Sequence, residues 1–333
     1  MVANQVLWEE MLDEFRALGG TAENIRLGQG PYGRGLFPVD PRKPYRILIP
    51  PSLLVHAKHV QFVDGDFRIG PEANVGEREK AFLENYEREF SWGVAQSETQ
   101  ELLEMMRNAP AGLKELLRSP FNLDVWLTES TPEWIQKRFI DARVIALEDK
   151  TPAVMPIVEL INHAPGTTYE IDERGVGVSG QTSGEILVAY LPDDALGIFA
   201  GWGFVSEAEP FALSLSLKVD RIRIKITRRL GGPTPFLPEV TRDGKELHLS
   251  YLLLGHKTYP RLAKGIFHKI MRDAGRRDEA VEAFDAIQHV NRRFWLQLLQ
   301  ASEEAELPLG RLLRRLIHAQ LSAMSHSIGV RHV

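Results

Sequence analysis

The stretch MPIVELINHAPG, at residues 155–166, decides how this chain is interpreted. An apolar run leads into three polar side chains, Glu159, Asn162 and His163, and ends at a Pro-Gly turn. Polar side chains are costly to bury unless they find hydrogen-bond partners. A lone histidine at the end of a strand is usually structural. Adjacent Asn and His after a buried run instead indicate that this segment lines a site.

A second informative stretch lies further along the chain, GEILVAYLPDDALGIFAGWGFVSE at residues 184–207. Its apolar strand ends at Tyr190, and Trp202 stands between two glycines. A buried tyrosine is most often a core residue whose hydroxyl is hydrogen-bonded. Tyr190 taken by itself therefore does not indicate a site.

A glycine cluster precedes both stretches, and it formally fits the pattern G-x-G-x-x-G with Gly28, Gly30 and Gly33. In a dinucleotide-binding fold such glycines lie between a strand and a helix, whose N-terminus faces the pyrophosphate. The prolines in GLFPVDPRKPYRILIP, residues 35–50, exclude a helix at that point. The cluster is left as either a tight turn or a phosphate-binding loop, and the tight turn is favoured.

Hydrophobic spacing and Gly/Pro punctuation predict the remaining organisation. The predicted elements are a helix at 5–18, short strands at 25–54, helices at 77–147, strands at 155–161, 169–178, 186–190, 212–219 and 223–227, and helices after about 240, with amphipathic runs at 278–302 and 309–325. The predicted domains are 1–76, 77–150, 151–230 and 231–333, where 77–150 is a helical insert that divides a β-rich domain and 231–333 is a helical C-terminal domain.

Composition excludes several classes of protein. With 333 residues, 44% hydrophobic and 26% charged, the chain is an ordinary globular protein. A net charge of -5 argues against a dedicated nucleic-acid binder, and the basic runs at 221–229 and 311–315 are interpreted as solvated faces. The absence of cysteine removes disulfides, thiol catalysis and cysteine-zinc sites. No secretory signal pattern or long apolar stretch is present, which predicts a cytoplasmic protein without membrane contact.

Taken together, the motifs resemble the SET domain of the RuBisCO large-subunit methyltransferase type. The matching residues run in the family's order from about 5 to 220: GRGLF at 33–37, IPPSLLV at 49–55, the helical insert, Pro156 with ELINHA at 159–164, Gly184-Glu185, Tyr190, and Trp202-Gly203-Phe204. Such collinearity is more specific than any one of these motifs.

This resemblance implies an α+β SET-domain fold of short strands with a pseudoknot, a helical insert and an all-helical C-terminal domain. It implies S-adenosylmethionine as the cofactor and the side-chain amine of a protein lysine as the methyl acceptor. Neither a metal nor a nucleic acid is expected to take part.

The resemblance also assigns roles to individual residues. Cofactor binding falls to Tyr32, Gly33, Arg34, Gly35, Arg143, Asn162 and His163, with Arg143 matching an arginine that pairs with the methionine carboxylate. Tyr190 falls on the catalytic tyrosine. The substrate channel is expected to be lined by Glu159, Tyr169, Tyr190 and Trp202. Glu159 stands where the family has Asp, and Trp202 stands where it has Tyr. The resemblance is therefore weaker at the substrate-binding positions than at the cofactor-binding positions.

Two alternatives stay open at this point. One is methylation of a non-protein amine, and the other is a catalytically degenerate SET domain that acts as a protein-interaction module through its C-terminal helices. The acceptor protein, the number of methyl groups transferred and the oligomeric state are not set by the sequence.

Overall fold

The structure, a computed structural model, describes residues 5–118, 127, 131–147, 149–228 and 237–325. It is 47% helical and 23% strand, so neither type of structure dominates, and its C-terminal region is helical. The predicted α+β class with many short strands is confirmed. No described helix is long and apolar enough to span a membrane.

The chain divides into two compact units. The first comprises Met1–Glu101 and Ser130–Tyr190, and the second comprises Leu102–Glu129 and Leu191–Val333. The four domain boundaries given by the sequence stay a prediction.

Elements up to Tyr190 are mostly short. In chain order they are α1 Gln5–Ala17, β1 Thr21–Glu23, β2 Ile25–Gly30, β3 Gly33–Pro38, β4 Tyr45–Ile49, β5 Val55–His56, β6 Val60–Val63, β7 Asp66–Ile69, α2 Glu77–Phe90, α3 Trp92–Arg107, α4 Ala111–Arg118, α5 Pro132–Asp141, β8 Val144–Ala146, β9 Pro152–Val154, β10 Asn162–His163, β11 Glu170–Asp172, β12 Gly175–Gly180 and β13 Leu187–Val188.

The main sheet of the first unit has the order β1-β4-β12-β11 and is antiparallel throughout. Its register places Ile47 of β4 between Ala22 of β1 and Val178 of β12, and all three side chains are buried. Alternate residues of a strand point to the same face, so the spacing of apolar residues in β4 directs them into the core.

Helices α1 and α2 cover this core with aromatic side chains. The rings of Trp8 and Phe90 lie 5.2 Å apart in an edge-to-face arrangement, and those of Phe15 and Phe82 lie 6.0 Å apart. Such pairs add to the free energy of burial. The helix predicted at 5–18 is thus observed, and it ends where Gly19 takes a left-handed conformation at φ +90°.

The strand predicted at 155–161 is wrong, because the chain instead makes a 3-10 turn at Val158–Leu160 directly after β9. The turn is entered through Ile157, a non-glycine residue at φ +66°. A short apolar run that is buried on all sides has no period that separates a strand from a turn. This turn brings Glu159 and Asn162 to where their partners lie.

Beyond Tyr190 the elements are α6 Ala195–Trp202, β14 Phe211–Leu213, β15 Leu217–Val219, β16 Ile224–Ile226, β17 Val240–Asp243, β18 Glu246–Leu249, β19 Leu253–His256, α7 Leu262–Asp273, α8 Ala280–Ala301 and α9 Leu307–Ser325. The amphipathic helices predicted at 278–302 and 309–325 are observed. The helical region begins later than predicted, since β17, β18 and β19 occupy most of residues 240–256.

In the second unit, α6 is held at its start by buried charges. Asp194 caps the helix by accepting a hydrogen bond of 3.0 Å from the backbone N–H of Gly197. The guanidinium of Arg228 donates to the carboxylates of both Asp193 and Asp194, and these three side chains are almost fully buried. Buried charges persist only when they are paired in this way.

Replacing Gly175 with alanine is expected to lower the free energy of unfolding by about 3 kcal/mol or more. Gly175 opens β12 at φ +127°, and a Cβ atom there would lie 1.8 Å from the carbonyl oxygen of Ile49. Gly65→Ala is the matched control, because Gly65 also has a positive φ, +86°, but faces open space. Its expected cost is about 1 kcal/mol. Urea denaturation followed by tryptophan fluorescence measures both variants, and equal losses would contradict the steric argument.

Candidate functional site

The glycine cluster forms a β-hairpin. Strands β2 and β3 pair antiparallel, with Gly28 opposite Gly35 and Gly30 opposite Gly33. Gly33 closes the turn at φ +97°, a conformation that favours glycine. The tight turn expected from the sequence is confirmed, and no helix follows the glycines. Tyr32 lies at the tip and is 55% exposed.

The carboxylate of Glu185 sits against this hairpin. A Cβ atom on Gly30 would lie 2.4 Å from Glu185 Oε2, and one on Gly35 would lie 2.3 Å from Glu185 Oε1. Any larger residue at either position would displace the carboxylate. The two glycines therefore form a seat for a side chain of this protein.

Asn162 joins the hairpin to Glu185. Its side-chain Nδ2 donates to the backbone carbonyl of Arg34 at 3.0 Å and to Glu185 Oε1 at 2.6 Å. The next residue of the Glu185 segment is also fixed, since the backbone N–H of Ile186 donates to the carbonyl of Leu36 at 2.8 Å. Three segments that are remote in sequence thus meet at one amide.

His163 and Tyr190 form the adjacent part of the site. His163 Nδ1 accepts a hydrogen bond of 3.1 Å from the backbone N–H of Tyr190, and the two rings lie 5.1 Å apart. The Tyr190 hydroxyl donates to the backbone carbonyl of Ile161 at 2.7 Å. Burial raises the pKa of the Tyr190 hydroxyl above its usual value, so this phenol stays protonated at neutral pH.

Tyr169 supplies a second buried phenol. Its hydroxyl finds no hydrogen-bond partner among the residues that the structure describes. Burial is the main cause that raises its pKa, and the nearby Tyr190 and Glu159 add to the effect. A buried hydroxyl without a partner costs free energy, which is typical of a group that meets a ligand.

Glu159 lies among partners of its own. Its side chain is 3% exposed, and its Oε2 lies 3.1 Å from Arg143 Nε. The other oxygen, Oε1, accepts a hydrogen bond of 2.8 Å from the Tyr86 hydroxyl. The guanidinium of Arg143 also stacks over the ring of Phe139, 4.3 Å from its centre. Glu159 and Arg143, which were assigned to the substrate channel and to the cofactor, are paired with each other.

A second buried glutamate, Glu87 of α2, adjoins this pair. Burial raises the pKa of Glu87 to about 8, and the charge of Glu159 contributes to the rise. Two buried carboxylates thus lie close to one guanidinium, and the ionised form of Glu87 is disfavoured.

The other predicted site residues are placed as follows. Gly33, Arg34 and Gly35 lie on β3, directly after the turn that carries Tyr32. Trp202 ends α6 in the second unit, whereas the other predicted residues belong to the first. The roles of all of them stay predictions.

Sequence analysis missed Tyr86, Glu87 and Glu185 as parts of the site. Tyr86 and Glu87 lie in the highly charged run EREKAFLENYEREF, where nothing marks them as buried. Glu185 had a signal, because it stands with Gly184 in one of the motifs that carry the resemblance.

Comparison with known proteins gave only distant structural matches. No protein-family model and no curated protein matches the chain. Among solved structures, the SET domain of LSMT bound to lysine and AdoHcy is similar at 13% identity and a TM-score of 0.43, covering 97% of this chain and 90% of that one. The same domain bound to methyl-lysine and AdoHcy is similar at 12% identity with the same score and coverage.

Glu87→Gln is expected to change how stability depends on pH. Between the usual pKa of 4.5 and about 8, Glu87 is protonated in the folded state and ionised in the unfolded one. Unfolding therefore releases a proton in this window, and the stability of the unmodified protein falls as pH rises, by up to about 1.4 kcal/mol per pH unit. The glutamine variant lacks this contribution.

Urea midpoints measured from pH 5 to pH 8 test this expectation. The curves of the unmodified protein and of Glu87→Gln should diverge steadily, with the unmodified protein losing stability relative to the variant. Glu101→Gln, at an exposed position of α3, serves as the control and should follow the unmodified protein. Parallel curves for Glu87→Gln would show that Glu87 ionises normally in the folded state.

Proposed function

We propose that this protein is a SET-type methyltransferase that uses S-adenosylmethionine to methylate the side-chain amine of a protein lysine. One observation carries the proposal: the Asn162 amide holds the Arg34 carbonyl and the Glu185 carboxylate together. Three of the motifs on which the family resemblance rests therefore converge at one place, with Tyr190 beside them.

The residues at this place fit S-adenosylmethionine. Buried oxygen atoms that can accept hydrogen bonds lie here, among them the Tyr169 hydroxyl, which has no hydrogen-bond partner among the described residues. The cofactor carries an ammonium group, an adenine amine and ribose hydroxyls, all of which donate hydrogen bonds to such acceptors. The glycines of the hairpin let the main chain approach a ligand closely. Residues 33–35, Asn162 and His163 would hold it.

When bound, S-adenosylmethionine supplies a methyl group on a positively charged sulfur, ready for displacement by an amine. The main task of the protein in such an in-line transfer is alignment of nitrogen and methyl carbon at about 3–3.5 Å. The transfer forms a C–N bond and breaks a C–S bond, and a proton must leave the lysine ammonium beforehand. A free lysine has a pKa of about 10.4, and apolar surroundings lower this value and favour the neutral amine.

Tyr190 and Tyr169 would orient the acceptor nitrogen. Because burial raises the pKa of both phenols, neither acts as a base at neutral pH. The Tyr190 proton is directed at the Ile161 carbonyl, so the Tyr190 oxygen is left to accept contacts from the amine or from the C–H groups of the methyl. Aromatic rings also favour an approaching ammonium through cation–π attraction.

Calorimetric titration with S-adenosylhomocysteine tests the cofactor site. The unmodified protein is expected to bind with micromolar affinity, and Asn162→Ala is expected to weaken binding by about tenfold or more, because it removes the amide that joins the hairpin to Glu185. Tyr190→Phe should leave the affinity nearly unchanged, since the Tyr190 hydroxyl bonds a backbone carbonyl. No binding by the unmodified protein would overturn the proposal.

Methyl transfer is measured with radiolabelled S-adenosylmethionine, using lysine-containing peptides, free lysine and a fractionated lysate as acceptors. Tyr190→Phe is expected to lower the rate by about a hundredfold, because it removes the oxygen that orients the acceptor nitrogen. Tyr259→Phe is the matched control, because Tyr259 is 61% exposed in the second unit. Transfer only to free lysine or another small amine would replace the protein acceptor with a non-protein one. Binding without any transfer would favour a non-catalytic interaction module.

A further inference from the structure

We infer that Glu185 is a positioning residue, which holds the Asn162 amide with its nitrogen inward and so makes Asn162 receive a ligand through its oxygen. The inference rests on the proposed function and adds to it a residue and a chemical selection. The ligand group that meets Asn162 must be a hydrogen-bond donor, an amine or a hydroxyl.

First, Glu185 is held in a fixed position by neighbouring segments of the chain. Its neighbour Ile186 is bonded to Leu36 of the hairpin, and Leu187 pairs with Asn162 in the parallel ladder of β10 and β13. The main chain on the C-terminal side of Glu185 is thus fixed both to the hairpin that carries Arg34 and to the strand that carries Asn162. The carboxylate then lies against Gly30 and Gly35, where no Cβ atom could be accommodated without moving it.

The second step concerns the amide itself. Both N–H protons of Asn162 Nδ2 have acceptors, the Arg34 carbonyl at 3.0 Å and Glu185 Oε1 at 2.6 Å. A backbone carbonyl cannot donate, so an amide turned by half a rotation would place oxygen against oxygen. Leaving such buried groups unsatisfied is costly, and the amide is locked in one orientation. Asn162 therefore offers a ligand only its oxygen, Oδ1.

The third step concerns charge. No cation is paired with Glu185 among the residues that the structure describes, and its Oε2 is buried without a partner. Burial raises the pKa of Glu185. A carboxyl group protonated on Oε2 would still accept the hydrogen bond from Asn162 through Oε1. The orientation of the amide therefore depends on the length of the side chain at position 185 more than on its charge.

A matched pair of substitutions at Glu185 separates the effect of side-chain length from the effect of charge. Glu185→Gln keeps the length of the side chain and an acceptor oxygen, whereas Glu185→Asp keeps the charge but withdraws the carboxylate by one methylene. Calorimetry with S-adenosylhomocysteine is expected to show affinity within about threefold of the unmodified protein for Gln and about tenfold weaker for Asp. Melting temperatures of both variants establish that each is folded.

A double-mutant cycle with Asn162→Ala distinguishes positioning from a general structural role. If Glu185 acts through Asn162, Glu185→Asp should cost no further affinity once Asn162 is alanine, whereas independent structural effects would add. Additive losses, or full affinity in Glu185→Asp, would overturn the inference and leave the proposed function standing. No binding by the unmodified protein would overturn the proposed function, and this inference with it.

Discussion

The first unit depends on one side-chain amide that is bonded to two acceptors remote from it in sequence. Asn162 reaches the Arg34 carbonyl across 128 positions and Glu185 across 23. Around it, β10 pairs parallel with β13, the Ile161 carbonyl accepts a hydrogen bond from the Tyr190 hydroxyl, and His163 Nδ1 accepts one from the Tyr190 backbone N–H. None of these short strands could be stable alone, because two-residue ladders contribute few hydrogen bonds. The polar contacts between segments are what fix their register.

Buried charge is the second constraint on this unit. Arg143, Glu159 and Glu87 are brought together from the turn before β8, from the turn after β9 and from α2, respectively. The guanidinium of Arg143 forms its ion pair with Glu159. Burial, with the charge of Glu159, therefore raises the pKa of Glu87. Such groups perturb stability, and they are found more often near functional sites than elsewhere. Here the Glu159 side of the cluster lies only three residues from Asn162.

The sequence was sufficient where local patterns decide structure. Apolar spacing predicted α1, α8 and α9, and the prolines after the glycine cluster excluded a dinucleotide site. It was insufficient for residues 155–161, where the apolar run is buried so completely that it carries no period. It was also insufficient for residues 240–256, where three short strands stand in place of the predicted helix. The partners of Arg143 and the burial of Glu87 could not be predicted either, since both depend on contacts between distant segments. The contact between Glu185 and the hairpin glycines could have been predicted. Both the glycine cluster and the Gly184-Glu185 motif are evident in the sequence, but nothing in the sequence connects them.

The pairing of Arg143 with Glu159 bears on how a ligand carboxylate would be received. A guanidinium has five N–H donors in a planar fork, and the contact through Nε to Glu159 uses one of them. The side chain of Arg143 is 26% exposed, while that of Glu159 is almost fully buried. The buried carboxylate and the stacked ring of Phe139 thus hold the guanidinium in place on two sides. An arginine held in this way has a fixed orientation, and under the proposed function the N–H donors that Glu159 does not use would be the ones to meet the cofactor carboxylate.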